Sequence, residues 1–202
     1  MKLFYLPASP YVRKVMAVAN LVGLTSKIEL LPSAVTPVAR DETVFAKNPL
    51  GKVPTLITDD GVALYDSRVI CEYLASHAGD AKLFPAAGPA RWKALQLMAL
   101  GDGIMDACQP RRREIALPQD DGRKEYIATQ RAKVDRAIAV LEAEADELGA
   151  LTTIGEVTIG CALGYLDFRY ANEPWRPGHP KLTAWYEKVS ALPALAQTVP
   201  PG

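Results

Sequence analysis

The sequence predicts an α/β domain with a small mixed sheet, joined to an all-helical domain. Three observations carry this. Residues 1 to about 78 alternate short strand patterns with amphipathic helix patterns. A Gly/Pro-rich stretch follows, Gly79-Asp80 and then Pro85-Ala86-Ala87-Gly88-Pro89. Beyond it the apolar residues recur at helical spacing to the end, with no convincing strand. The expected division is therefore 1–78, a linker at 79–88, and a helical domain at 89–202.

In the first half, Leu3 to Leu6 reads as a strand that breaks at Pro7. Ser9-Pro10 then places a serine N-cap and a proline at the first helical position, predicting a helix from Pro10 to about Asn20, ended by Gly23. Ile28 to Leu31 is a second strand, and a less regular helical stretch is expected from about Pro37 to Lys47. Thr55–Thr58 and Val62–Leu64 flank Asp59-Asp60-Gly61, a strong hairpin signal. A helix is expected from Asp66 to about His77. The order β-α-β-α-β-β-α fits an α/β sandwich. In the second half, long helices are expected over about 90–114 and 123–147, with shorter ones near 158–171, near 179–190 and at the C-terminal end.

Composition narrows the function. The 202 residues are 49% hydrophobic and 23% charged, and 23 basic residues balance 23 acidic ones, so nothing resembles the electrostatic footprint of a nucleic-acid binder or a membrane-surface protein. Cys71, Cys108 and Cys161 are far apart and odd in number, and His77 and His179 are isolated, which indicates neither a disulfide framework nor a metal site. No apolar stretch approaches the roughly 20 residues of a membrane span. The expectation is a cytoplasmic protein with reduced thiols, whose partners are small molecules or other proteins.

Three segments of the first domain bear on chemistry. The turn at Ser9 directs a hydroxyl and the unpaired N–H groups of a helix start at one spot, which favours negative charge. Asn48 to Leu56 places Pro54 at the threshold of a strand, where the Val53-Pro54 bond is a candidate for the cis form. A cis bond there would turn the Val53 N–H and C=O outward to pair with an extended peptide; an ordinary trans proline opening the strand is the alternative. In Leu64-Tyr65-Asp66-Ser67-Arg68-Val69-Ile70, a strand hands over to a helix, so Ser67 and the helix N–H groups can hold a carboxylate while Asp66 pairs with an ammonium. Simple capping would also explain either residue.

These segments, in this order and spacing, resemble the bacterial cytosolic glutathione S-transferases, as does Ala-Leu-Gly-Tyr-Leu-Asp-Phe-Arg at 162–169, which is similar to the corresponding helix of a subgroup with serine at the active-site turn. The resemblance covers essentially the whole chain. It implies a thioredoxin-like N-terminal domain that binds glutathione and a helical C-terminal domain that holds an electrophile. Glutathione would pair through its cysteinyl backbone with Val53 beside Pro54, near Lys52, with its γ-glutamyl carboxylate on Ser67 and its amino group near Asp66. Ser9 would donate to the glutathione thiolate and lower the thiol pKa, and that thiolate would attack a small electrophile. Tyr11, Met105, Asp106, Gln109 and Arg112 are the expected electrophile-site residues. The resemblance further implies a homodimer and no metal.

Two features stand beside this reading. The family's helical-domain capping motif, Ser/Thr-x-x-Asp, is matched to Thr158-Ile159-Gly160-Cys161, where cysteine replaces the acid and about 1 kcal/mol of stability is at stake. Asp102 and Asp106, four apart on one helix, are either solvated or directed toward ligand, and Arg111-Arg112-Arg113 is either a plain charged surface or a basic rim for an anionic ligand. Tyr165, Phe168, Trp175 and Trp185 are expected in packing roles. Glutathione-dependent disulfide or peroxide reduction, and a non-catalytic regulatory role, are the competing functions; serine at the turn excludes a mixed disulfide there.

Overall fold

In a computed structural model of the protein, residues 1–35, 39 and 41–201 are described. The chain divides into two compact units, one comprising Met1–Gly88 together with the C-terminal segment from Pro193, the other Pro89–Leu192.

The first unit is built on a four-stranded sheet of order β2-β1-β3-β4, formed by β1 (Lys2–Tyr5), β2 (Glu29–Pro32), β3 (Thr55–Ile57) and β4 (Ala63–Leu64). β1 and β2 are parallel, with Leu3 opposite Leu30; parallel neighbours require a crossover, and α1 (Pro10–Leu21) supplies it. β3 runs antiparallel to β1 with Leu56 opposite Leu3, and β4 antiparallel to β3. Leu3 and Leu56, on the two central strands, are fully buried. α1 packs against α3 (Ser67–His77), and both bury apolar rows at helical spacing: Val12, Val15 and Val18 on one, Ile70, Leu74 and Ala75 on the other.

α2 spans only Glu42–Phe45, capped by Asp41, whose carboxylate accepts from the Thr43 and Val44 N–H groups. That is shorter than the helix expected over 37–47, and residues 36–38 and 40 lie outside the described residues. A short C-terminal helix, Pro193–Ala196, packs on α1: buried Arg13 donates from Nη2 to the Leu195 carbonyl at 3.2 Å and from Nε to the Thr198 hydroxyl at 3.4 Å.

The second unit holds α4 (Gly88–Ile115, its first residue at the boundary), α5 (Asp121–Ala143), α6 (Ile154–Arg169) and α7 (Pro180–Ser190), so the Pro193–Ala196 helix is α8. Every residue of α6 from Ile154 to Leu166 is buried, as a central helix requires. Gly155 allows α4 to approach closely, because a Cβ there would lie 2.6 Å from the Leu97 Cβ.

The start of α6 corrects the expected capping motif. The capping box is Thr153 with Glu156, a Thr-x-x-Glu pair five residues earlier than the motif read from the sequence. Buried Glu156 accepts from the N–H groups of Gly149, Thr152 and Thr153 and from the Thr152 hydroxyl, at 2.5–3.0 Å. Thr158 lies inside the helix, where its hydroxyl donates to the Ile154 carbonyl at 2.7 Å, so no acid is missing at Cys161.

Candidate active site

The turn after β1 is closed by the Ser9 N–H, which donates to the Leu6 carbonyl at 3.0 Å. Ser9 is the N-cap of α1, with extended backbone (φ −81°, ψ 121°), and Pro10 follows at the first helical position. The Ser9 Oγ accepts one long bond, 3.3 Å, from the Val12 N–H. The side chain is 7% exposed, and among the described residues its O–H donates to nothing. No acidic residue stands in the first turn of α1 to offset the positive end of the helix. The site therefore combines a sheltered hydroxyl that can still donate with uncompensated N–H dipoles. Tyr11, one residue into the helix, is half-buried.

The Val53-Pro54 bond is cis. Strand pairing with β1 reaches Thr55, which stands opposite Phe4, so Val53 lies beyond the ladder. What holds this loop was not read from the sequence. Buried Asn48 donates from Nδ2 to the Lys52 carbonyl (3.1 Å) and to the Thr55 hydroxyl (2.9 Å), while its Oδ1 accepts from the Leu50 N–H (2.9 Å). Thr55 donates in turn to the same Lys52 carbonyl at 2.8 Å. Lys52 thus contributes its backbone to the loop while its side chain is exposed. Gly51 is required here, at φ +60° with the Phe45 ring 2.3 Å from where a Cβ would sit. An Asn directly before Pro49, set to hydrogen-bond its own backbone two residues on, was the available signal.

Asp66 is the N-cap of α3, its carboxylate accepting from the Arg68 N–H at 2.9 Å, and it is exposed. Ser67 follows as the first helical residue, 3% exposed, with no side-chain hydrogen bond among the described residues. The first turn of α3 likewise carries no acid. The Tyr65-Asp66 bond is also cis, a feature that no sequence signal announces for a non-proline residue. The first unit thus carries two helix N-termini, each with a serine whose hydroxyl is uncommitted, and a cis-proline loop next to its sheet.

The residues expected to line an electrophile site divide. Met105 is fully buried. Gln109 is half-buried, and Asp106 and Arg112 are exposed. Asp102 is 1% exposed, so the two acids on α4 do not share an environment. The Arg111–Arg113 run is not a uniform surface either. Arg111 is 6% exposed and donates from Nη2 to both carboxylate oxygens of Glu173, at 2.8 and 2.6 Å, and Arg131 pairs with the same carboxylate. These groups line a cavity of about 100 Å³ with Cys108, Tyr170, Trp175 and His179. Burial pushes both the Cys108 thiol and the Tyr170 hydroxyl up to about 12. Cys71 and Cys161 are buried too, and none of the three cysteines is in a disulfide. Among the described residues no His/Cys/Asp/Glu group suits a metal ion, and no helix is long and apolar enough to cross a membrane.

Comparison with known proteins agrees with this architecture. Residues 8–77 match the glutathione S-transferase N-terminal domain model, and residues 115–188 match the C-terminal domain model. An uncharacterized GST-like protein of Escherichia coli, YibF, is 33% identical over 100% of this chain and 99% of its own. A glutathione transferase family member from Pseudomonas fluorescens Pf-5, solved with bound glutathione, is 46% identical with a TM-score of 0.94, covering 100% of this chain and 99% of the other. A second structure from that organism, with bound S-(propanoic acid)-glutathione, is 45% identical with a TM-score of 0.90, covering 99% of each chain. With both domain models matched in order and full-length likeness to these proteins, the chain belongs to the glutathione S-transferase family.

Proposed function

We propose that the protein is a glutathione transferase that binds glutathione on its thioredoxin-like unit and activates it as a thiolate for attack on small electrophiles. The observation that carries this reading is the sheltered Ser9 hydroxyl, placed at an acid-free helix start and donating to no group among the described residues. An O–H that donates to a thiolate stabilises the charged form, and the dipole of α1 acts in the same direction. Ser9 steadies the nucleophile and is not itself the nucleophile.

Glutathione lies with its cysteinyl backbone along Val53, beside cis Pro54 and Lys52. Its γ-glutamyl carboxylate sits on Ser67 and the N-terminus of α3, with Asp66 facing its ammonium group. The relatives solved with glutathione and with an S-substituted glutathione support a reaction at the sulfur. Conjugation is preferred over disulfide reduction because serine at the turn forms no mixed disulfide and the three cysteines are buried. The helical unit supplies electrophile-site residues Asp106, Gln109 and Arg112 on α4, and Tyr11 on α1 is the candidate from the thioredoxin-like unit. The chain works as a cytoplasmic homodimer without a metal.

Retention on immobilised glutathione, with a thermal shift in excess glutathione, tests the binding step; absence of both rejects the reading. A chlorodinitrobenzene assay run beside a hydroxyethyl-disulfide assay separates conjugation from reduction, and the conjugation assay is expected to give the larger rate. Light scattering tests the dimer.

A further inference from the structure

On α4, Gln109 and Arg112 follow one another at helical spacing, as Tyr165 and Arg169 do on α6. The Tyr170 hydroxyl ties the two helices at this level by donating to the Cys108 carbonyl at 2.7 Å. Arg112 stands one turn beyond Cys108, and Arg169 immediately precedes Tyr170, so this bond brings the two arginines to the same end of the helix pair. Their neighbour Arg111 is neutralised by Glu173. Arg112 and Arg169 have no such partner, since neither forms an ion pair with an acid among the described residues.

Arg169 is also incompletely bonded. Its guanidinium lies over the Phe168 ring, 3.8 Å from the centroid, and its Nε is buried with no hydrogen-bond partner. Burial first, and then the like charge of Arg112, disfavour its charged form, while the Tyr165 hydroxyl beside it favours that form. A guanidinium nevertheless stays protonated in a protein. Two neighbouring cations, one with an unmade buried donor, are unfavourable alone and become favourable when an anion joins them.

We propose that Arg112 and Arg169, with the Tyr165 hydroxyl beside them, form an anion subsite in the helical unit that binds the carboxylate of the electrophile, making carboxylate-bearing electrophiles the preferred substrate class. This rests on the glutathione-transferase reading above. With a chloronitrobenzoate as acceptor, the sulfur lone pair forms the C–S bond, chloride leaves with the C–Cl electron pair, and the thiol proton passes to solvent. The arginines take no part in that exchange; they hold the carboxylate of the acceptor.

Calorimetric titration with S-(4-carboxybenzyl)glutathione and S-(4-carbamoylbenzyl)glutathione tests this, because the two differ in charge and barely in shape. The carboxylate is expected to bind about tenfold more tightly, as charge-assisted hydrogen bonds predict, with the advantage shrinking at higher salt. Arg112→Gln and Arg169→Gln should each remove most of the affinity ratio, and Arg169→Lys should restore part of it. Arg112 is exposed, so its variant keeps the test readable if Arg169→Gln fails to fold. Equal affinity of the two compounds for the unmodified protein overturns the proposal. So does an unchanged ratio in the variants, even if both compounds weaken together, which would place the arginines on a carboxylate of glutathione itself. Silence of both compounds and of glutathione rejects the underlying reading and this one with it.

Discussion

At the start of α6, one buried carboxylate, Glu156, accepts four hydrogen bonds from the preceding loop and the helix entry. At the start of α1, Ser9 accepts a single bond of 3.3 Å, and no acid follows. Both are helix N-termini with the same unpaired N–H groups and the same positive dipole end. In the first, the protein satisfies the charge and the donors internally, so nothing remains for a ligand and the arrangement serves stability. In the second it leaves them available. A cap saturated by the chain offers a ligand nothing, and a cap left unfinished keeps donors that a ligand can use.

The largest effect expected from this contrast is on stability. Glu156→Ala leaves three N–H groups and a hydroxyl without their acceptor, and should lower the unfolding free energy by about 3–5 kcal/mol in urea titrations. A loss under about 1 kcal/mol would break the contrast from the structural side.

Ser9→Ala should do the reverse. Conjugation is expected to fall roughly 10- to 100-fold, as for one lost donor to the thiolate, while stability changes by no more than about 1 kcal/mol. An unchanged rate would assign thiol activation to another donor, such as a backbone N–H, Tyr5 or Tyr11.

The helical unit should also show its closed character in alkali. The Cys108 thiol, ordinarily near 9.0, is raised by burial to about 12 in the folded protein, so above pH 9 the unfolded chain releases a proton that the folded one keeps. Stability must then fall with rising pH, by up to about 1.4 kcal/mol per pH unit for this group. Urea titrations at pH 8.5 and 10.5 should show that fall, and Cys108→Ala should reduce it; identical slopes would remove the assignment.

The smallest change sharpens the comparison at α3. Asn caps a helix as well as Asp does, so Asp66→Asn should leave stability within about 0.5 kcal/mol. The charge, however, is lost, and the KM for glutathione should rise about three- to fivefold, the range of an exposed ion pair. An unchanged KM would reduce Asp66 to a cap.

Local chemistry explains which parts were readable in advance. Ser9-Pro10, the Asp59-Asp60-Gly61 hairpin and the Asp66-Ser67 helix start each depend on a few adjacent residues, and each element stands within a residue or two of its expected place. The α6 cap was misread because both Thr153 and Thr158 precede plausible helix patterns, and only the packed loop shows which one the buried Glu156 reaches. Arg111 departs from the expected charged surface for a related reason. Spacing places a residue on a helix face, but whether that face meets core, Glu173 or solvent depends on neighbours distant in the chain. Asn48 escaped notice because its role is to hold the Lys52 carbonyl from inside the loop.

By itself, the sequence determined the order of strands and helices, the Ser9-Pro10 and Asp66-Ser67 helix starts, and the family, because these follow from propensities and short motifs along the chain. Only the tertiary structure decided that Ser9 and Ser67 are sheltered with hydroxyls that donate to nothing among the described residues, that Glu156 closes the start of α6, and that Arg111 is neutralised while Arg112 and Arg169 pair with no acid among the described residues. Burial and charge pairing arise between segments far apart in sequence, and they set which polar groups are satisfied by the protein and which are left for a ligand.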